Sequence, residues 1–420
     1  MSKSVRVRMY NVGFGDCFLV TLPNKQSILV DAGFHSQGKG SFSAKELVDQ
    51  VIADVTEIAG KPRIDVVIAT HRHQDHIFAF NASEWDDVEV GEVWMPWLED
   101  RKNPEATKLW KKQQGFAMQL AAVRGTFGLS AEDMADVEFM LWNAGIDLGG
   151  IPMDAVVAKW SNMNALNCLH EGFAHRDRPD PRFLPSKSCP ESFESSVLPG
   201  VTVHVLGPPR DAELIEELDP EADGETYRAM ALRSMEASNT VTSPFGEAWL
   251  VRDDEQGELL DPAEIERIES LGRSADAVFA AEKVDSMINS TSLVLVMDIG
   301  KARLLLPGDA EWGTWRRILA ADEARSLLRG ATFFKVGHHG SHNATSKTLV
   351  EQVLPKKIPA MISTQQGPGR YRNNIPLSEL LDALKVRNIN YARSDVATGK
   401  LPAPFHRGDG AKWIDVKLPC

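Results

Sequence analysis

The six residues His71-Arg72-His73-Gln74-Asp75-His76 hold three imidazoles and a carboxylate. That donor set suits divalent metal ions, and histidines this dense are rarely incidental. A tight loop turns alternate side chains to one side, so His71 and His73 can face one ion while Asp75 and His76 face a second. Another histidine-rich run, Lys335-Val336-Gly337-His338-His339-Gly340-Ser341-His342, follows a second apolar stretch. His338 comes first after that stretch and is assigned as the ligand completing the second site. His339 faces the opposite side of an extended chain, which leaves it, with Ser341 and His342, to hold an oxyanion or protonate a leaving group. Two single carboxylates join the set. Asp309, closing Leu304-Leu305-Leu306-Pro307-Gly308, either bridges both ions or caps the helix that follows. Asp31, closing Ile28-Leu29-Val30, either orients a ligand histidine by a hydrogen bond or serves as a turn carboxylate.

Each of these residues needs an element to deliver it. Ile64–Ala69 reads as a buried strand that runs straight into His71, and Phe333–Val336 does the same for His338. Val5–Met9, Phe18–Leu22 and Ser27–Val30 read as an opening set of strands. A helix is predicted from Ser43 or Ala44 to about Gly60, with Leu47, Val48, Val51, Ile52 and Val55 on one face. Further strands are predicted at Val88–Met95, Val201–Leu206, Ser292–Asp298, Arg303–Leu306 and Ala360–Ser363, and helices near 311–320, 346–354 and 376–385. Two stretches break the pattern. Residues 101–198 alternate helical patches with Gly- and Pro-rich joints and read as an inserted cap; residues 211–285 read as a second, acidic helical insertion.

Composition narrows the function classes. With 43% hydrophobic and 25% charged residues among 420, disorder and coiled coil are poor readings. No apolar run reaches the roughly 18 residues of a membrane helix, and the opening residues show no apolar signal core, so a cytoplasmic, non-membrane protein is expected. Cys17, Cys168, Cys189 and Cys420 lie far apart with no CxxC pair, as reduced structural thiols would. The net charge of −13 speaks against a nonspecific nucleic-acid coat. It is unevenly spread, however: residues 301–420 hold 19 Lys and Arg against 10 Asp and Glu, while residues 210–290 hold 21 acidic against 7 basic.

Taken together, these residues resemble the metallo-β-lactamase superfamily, whose HxHxDH signature after a strand is matched by His71–His76. Asp31, Asp309 and His338 fall at the places of its other aspartate and histidine motifs. The closer resemblance is to the ComEC-like branch. It rests on the GxGD-type turn Gly13-Phe14-Gly15-Asp16, Leu206-Gly207-Pro208, Asn289 and Ser292, Leu305–Asp309, and the KVGHHGS run Lys335–Ser341. The resemblance implies an α+β protein with a four-layer αββα sandwich, here as one domain over 1–420 carrying the two helical insertions. It also implies nucleic-acid or nucleotide substrates. Many members place another histidine between HxHxDH and the bridging aspartate; the equivalent turn here is Gly207-Pro208-Pro209, and His170, His175 and His204 read as structural or exposed.

Two ions, Zn²⁺ by default and Mn²⁺ as the alternative, can share a bridging hydroxide and stabilise a leaving oxygen, with Asp75 positioning the nucleophile. That chemistry hydrolyses esters, amides and phosphodiesters alike. Phosphodiesters are expected because Lys335, Ser341, His342 and Asn343 could bind phosphate oxygens and because the last third is basic, including Arg370, Tyr371 and Arg372. Two competing readings remain. One is a lactone, thioester or small-ester hydrolase whose lid pocket is lined by Trp94, Trp97, Trp142 and Trp160; the other is a non-catalytic metal-binding protein. The acidic insertion could meet a protein partner, and the oligomeric state is left open.

Overall fold

Alternation decides which way the first strand faces. Val5, Val7 and Met9 point into a core shared by two sheets, and Tyr10 points the other way. The computed structural model describes residues 4–35, 38–123, 131–146, 161–174, 180–216, 277–341, 344–365 and 375–420. Its strands are β1 (Ser4–Tyr10), β2 (Cys17–Thr21), β3 (Ser27–Ala32), β4 (Arg63–Ile68), β5 (Glu89–Pro96), β6 (Arg182–Leu184), β7 (Glu191–Glu194), β8 (Val201–Gly207), β9 (Val294–Ile299), β10 (Ala302–Leu306), β11 (Phe333–Lys335), β12 (Pro359–Ile362), β13 (Asn390–Arg393), β14 (His406–Arg407) and β15 (Trp413–Pro419). They form an eight-stranded sheet, β14-β15-β1-β2-β3-β4-β5-β6, and a seven-stranded sheet, β13-β12-β11-β10-β9-β8-β7. The fold is a mixed α+β one, as the sequence predicts.

Parallel pairing is what gathers the polar strand ends. β3 runs parallel to β4, so Asp31 and the loop from Thr70 to His76 emerge at the same edge of the first sheet. β10 runs parallel to β11, so Asp309 and the His338-His339 pair emerge together from the second. Between the sheets lies one apolar cluster, with Phe18, Val30, Val66 and Ile68 from one side and Val203, Leu295, Leu304 and Phe333 from the other.

The helices are α1 (Ala44–Ala59), α2 (Gln74–Ile77), α3 (Pro104–Val123), α4 (Ala131–Asn143), α5 (Asn162–Glu171), α6 (Ala212–Glu216), α7 (Ala277–Asn289), α8 (Trp312–Ala320), α9 (Asp322–Arg329) and α10 (Ser378–Val386). α1 starts with a capping box, in which Ser43 accepts from the Glu46 amide and Glu46 accepts from the Ser43 amide. It packs Leu47, Val48, Val51 and Val55 on the first sheet with Leu166 and Leu169 of α5. Trp315, Leu328 and Leu380 cover the second sheet from α8, α9 and α10. α3, α4 and α7 share a separate apolar cluster that includes Phe14. None of these helices is long and apolar enough to cross a membrane, among the described residues.

Most expected elements stand within a residue or two of the sequence reading. The helix expected at 346–354 closes only as a short π-type turn, Leu349–Val353. β6, β7, β13, β14 and β15 are not anticipated. Four are short, two to four residues each, and β15 alternates clearly but pairs with β1 from the far end of the chain. Within 101–198 the described residues are helical through Glu171 and then supply β6 and β7 to the two sheets. Of the acidic stretch 211–285, residues 217–276 lie outside the described residues.

Candidate metal centre

Asp31 staples the site together at its base. Its backbone sits at φ 56°, a conformation few non-glycine residues adopt, and its side chain is fully buried. Thr70 donates to it twice, from the amide at 2.7 Å and the hydroxyl at 2.8 Å, tying the end of β3 to the exit of β4. Gly33 then lets the metal loop pass: a Cβ there would lie 2.2 Å from the carbonyl carbon of Asp75. Gly33→Ala is therefore expected to destabilise the fold by about 3 kcal/mol through overpacking. It should also displace Asp75, which a thermal melt paired with metal analysis would detect; an unchanged melt and unchanged metal content would show that the loop yields freely.

Four imidazoles and two carboxylates converge in the space above. His71 Nε2 and His73 Nδ1 face each other at 3.0 Å. His76 Nε2 lies 3.1 Å from Asp309 Oδ2, and His339 Nε2 lies 2.9 Å from Asp75 Oδ2. Their outer nitrogens are pinned by groups that can only accept. His76 Nδ1 donates to Asp31 Oδ2 at 2.9 Å, and His339 Nδ1 donates to the Ser363 carbonyl at 2.9 Å. Because the Thr70 hydroxyl proton goes to Asp31, His71 Nδ1 donates to Thr70 Oγ1, 3.2 Å away. Each of these three rings thus turns Nε2 inward, as the atom that offers a lone pair to an ion once any proton on it has left. Asp75 Oδ1 is buried with no hydrogen-bond partner, a costly condition unless a cation satisfies it. The groups His71, Asp75, His76 and His76, Asp309, His339 each bring three donor atoms within 4.8 Å of one another. The donor set, its burial and the orphaned oxygen fit divalent ions.

Electrostatics around the cluster follow from burial and close charges. Burial disfavours the His76 imidazolium, but Asp309, Asp75 and Asp31 outweigh it and hold the pKa well above the usual histidine range. His339 is raised too, since its hydrogen bond to Asp75 and the nearby Asp16 overcome burial. His71 and His73 go the other way: burial and the positive His76 push His71 far down, and burial takes His73 to about 3. Burial would raise Asp309, yet His76, His338 and Lys335 hold it well below the carboxylate range. Asp75 is likewise held down against burial by His76 and His339.

Of the residues singled out in the sequence, His71, His73, Asp75, His76 and Asp309 meet here, with Asp31 beneath. It is His339, not His338, that faces Asp75. His338 and His339 both adopt positive φ, 46° and 55°, in a single turn, so the alternation expected of an extended chain does not apply. His338 instead points its Nε2 toward Asp285 Oδ2 at 3.9 Å, while its amide donates to Asp309 Oδ1 at 3.0 Å. Lys335 is fully buried, ion-paired with Asp16 and 3.9 Å from Asp309, so it neutralises carboxylates from below and presents nothing to a phosphate. Ser341 is buried beside the pair. His342 and Asn343 lie outside the described residues, as do Trp160, His175, Arg370, Tyr371 and Arg372. His170 lies against Phe183 with the rings tilted, and His204 bridges Ser192 and Asp298 across the second sheet, so neither reaches the site.

Sequence reasoning missed Asp285, Asn143 and Ser363. Asp285 lies on α7, and burial with the neighbouring Asp75 and Asp309 raises its pKa to about 8. Asn143, the last residue of α4, accepts from the Asp75 amide at 3.0 Å. Nothing in their local sequence distinguishes them from ordinary helix residues. The GxGD turn, by contrast, proves structural in detail: Phe14 packs on His339 with ring centroids 4.3 Å apart, and Asp16 pairs with Lys335.

No curated protein matches the chain. Residues 10–112, which carry strands β2 to β5 and the whole His71–His76 loop, match the family model of the metallo-beta-lactamase superfamily, whose members are generally metallohydrolases and usually bind divalent metals such as zinc.

Proposed function

We propose that this protein is a dinuclear metal-dependent hydrolase, built as a four-layer αββα sandwich, that cleaves phosphodiester bonds in nucleic acid or a nucleotide. The observation that carries the metal centre is the convergence of four imidazole nitrogens with Asp75 and Asp309 in one buried cluster. In this reading His71 and His73 would hold the first ion, Asp75, His76 and His339 would hold the second, and Asp309 would serve both. Zinc suits the imidazoles, and the carboxylates also admit manganese. Bound there, such ions lower the pKa of water toward 7 and polarise the bond under attack. Asp31, Thr70 and the Ser363 carbonyl keep the rings turned inward. His338, the more exposed histidine of its pair, holds no ion in this reading, and burial lowers its pKa so that it would face a substrate as a neutral imidazole.

Two observations favour phosphodiesters: the resemblance of Lys335–Ser341 to the ComEC-like branch, and the net basic last third of the chain. The small-ester reading loses support among the described residues. Trp94 packs on Phe193, Trp97 donates to the Pro209 carbonyl and Trp142 packs between His35 and Phe78, so these three tryptophans are core rather than pocket lining. The test is cleavage of DNA and RNA across a salt series, with Asp75→Ala as control. Each phosphate neutralised on duplex DNA contributes a log–log salt slope of about −0.9, so activity should fall steeply with salt and vanish in the control. Equal cleavage by both proteins, or turnover of a lactone or thioester alone, would reject the phosphodiester reading and leave the metal centre standing.

A further inference from the structure

His73 differs from the three other imidazoles of the centre. His71, His76 and His339 turn Nε2 inward and anchor Nδ1 on Thr70, Asp31 and the Ser363 carbonyl. His73 is reversed: Nδ1 faces His71 Nε2, and the outer Nε2 is buried without a hydrogen-bond partner. For Nδ1 to carry a lone pair, Nε2 must carry the proton, and that proton needs an acceptor. The carboxylate beside it is Asp285, with Oδ1 at 3.6 Å. Asp285 is itself held in place. Asn289, one turn further along α7, donates to its Oδ2 at 3.2 Å, and Asn143 of α4 bonds it while accepting from the Asp75 amide.

We propose that Asp285 is the positioning residue of the first ion: it accepts the Nε2 proton of His73 and thereby fixes Nδ1 as the ligand atom. A small side-chain shift brings the 3.6 Å contact into hydrogen-bond range. The role parallels that of Asp31 toward His76, but Asp285 is delivered by α7, the helix that overlaps the end of the acidic stretch. This inference rests on the reading of the cluster as a metal centre. It also gives the first site an acidic partner where the Gly207-Pro208-Pro209 turn supplies no histidine.

The test measures Zn²⁺ affinity by competition with a chelating dye, on stripped wild-type protein, His73→Ala, Asp285→Ala, Asp285→Asn and the double variant His73→Ala/Asp285→Ala. His73→Ala identifies the ion concerned. Asp285→Ala is expected to weaken that same ion about 10- to 100-fold, the range seen for partners of ligand histidines, and to leave the other ion unchanged. The double variant should be no weaker than His73→Ala alone, because Asp285 acts through His73. A Co²⁺-loaded sample of Asp285→Ala should show an altered visible band at the same site. Asp285→Asn keeps shape and the Asn289 contact, so it decides the matter if the alanine variant does not fold. Full affinity in Asp285→Asn, proportional loss of both ions, or additive losses in the double variant would each overturn the proposal. A His73→Ala protein that loses no ion would instead overturn the metal reading of the His71–His73 pair, and this inference with it.

Discussion

Replacing Asp309 by alanine is expected to strip the protein of both divalent ions and abolish hydrolysis. The carboxylate sits at the junction of the two donor sets: Oδ2 lies against His76 Nε2, and Oδ1 accepts from the His338 amide. It also balances charge. His76 is held as a cation in the absence of a metal, and Lys335 is buried with its ammonium 3.9 Å from Asp309. Removing one partner from such a buried set typically costs about 3–5 kcal/mol. The alanine variant should therefore melt earlier even in the presence of chelator, whereas Asp309→Asn, which keeps the shape, should lose metal with a smaller stability loss. Elemental analysis and a melt in chelator separate the two effects. Retention of both ions by Asp309→Ala would mean that another carboxylate bridges them.

Metal uptake should depend steeply on pH, in the direction set by His76 and His339. Both have folded pKa values above the ordinary 6.5, so in stripped protein both hold protons that must leave before Nε2 can bind an ion. Below those folded pKa values, apparent affinity should rise about 100-fold per pH unit as two protons are displaced, and it should flatten above them. Calorimetry in buffers of different ionisation enthalpy reads the proton count directly. Stability of the stripped protein should show the opposite trend. A raised folded pKa means that the native state binds more protons than the unfolded one, so the contribution of these histidines is full below 6.5 and is lost as pH rises through the folded values. Asp285, raised from 3.8 to about 8, adds a loss in the same direction between those values. Asp75 and Asp309 are depressed, so their stabilising contributions are already complete above pH 4, and those of the depressed His71 and His73 are complete above about pH 7, so none of the four offsets the fall beyond that point. A stripped protein whose melting temperature is flat from about pH 7 to 9 would contradict this assignment of protons.

What the sequence reveals of this site depends on whether a residue's role is local. His71–His76 is legible because a strand, a turn and four donors lie within a few residues, and the same holds for Asp31 and Asp309 at strand ends. The choice between His338 and His339 is not legible. It depends on two consecutive positive-φ residues, which a polar run after a strand does not announce. Lys335 reads as a phosphate-binding donor beside the histidine pair, yet its strand position places it under the site against Asp16, over 300 residues away in the chain. Asp285 and Asn143 are invisible for the same reason: α4 and α7 pack together across a long stretch of sequence, and only that packing brings their polar ends to the loop. The strands of the core were readable where they alternate or run apolar for five or more residues, and not where they last two to four.

The pairing of β1 with β15 bears on how the chain is made. Ser4–Tyr10 leaves the ribosome some four hundred residues ahead of its partner Trp413–Pro419. Until then β1 has β2 on one side and an open row of backbone donors and acceptors on the other, the kind of edge that invites pairing with foreign strands. Arg8 waits as well, since the guanidinium that bonds Asp54 in α1 also needs Asp415 of β15. Such a long-range closure is a slow step in folding, so the first sheet stays unfinished while the residues between the two strands are made. Arg6 and Arg8 put charge on β1, which discourages such pairing until β15 arrives to seal the edge.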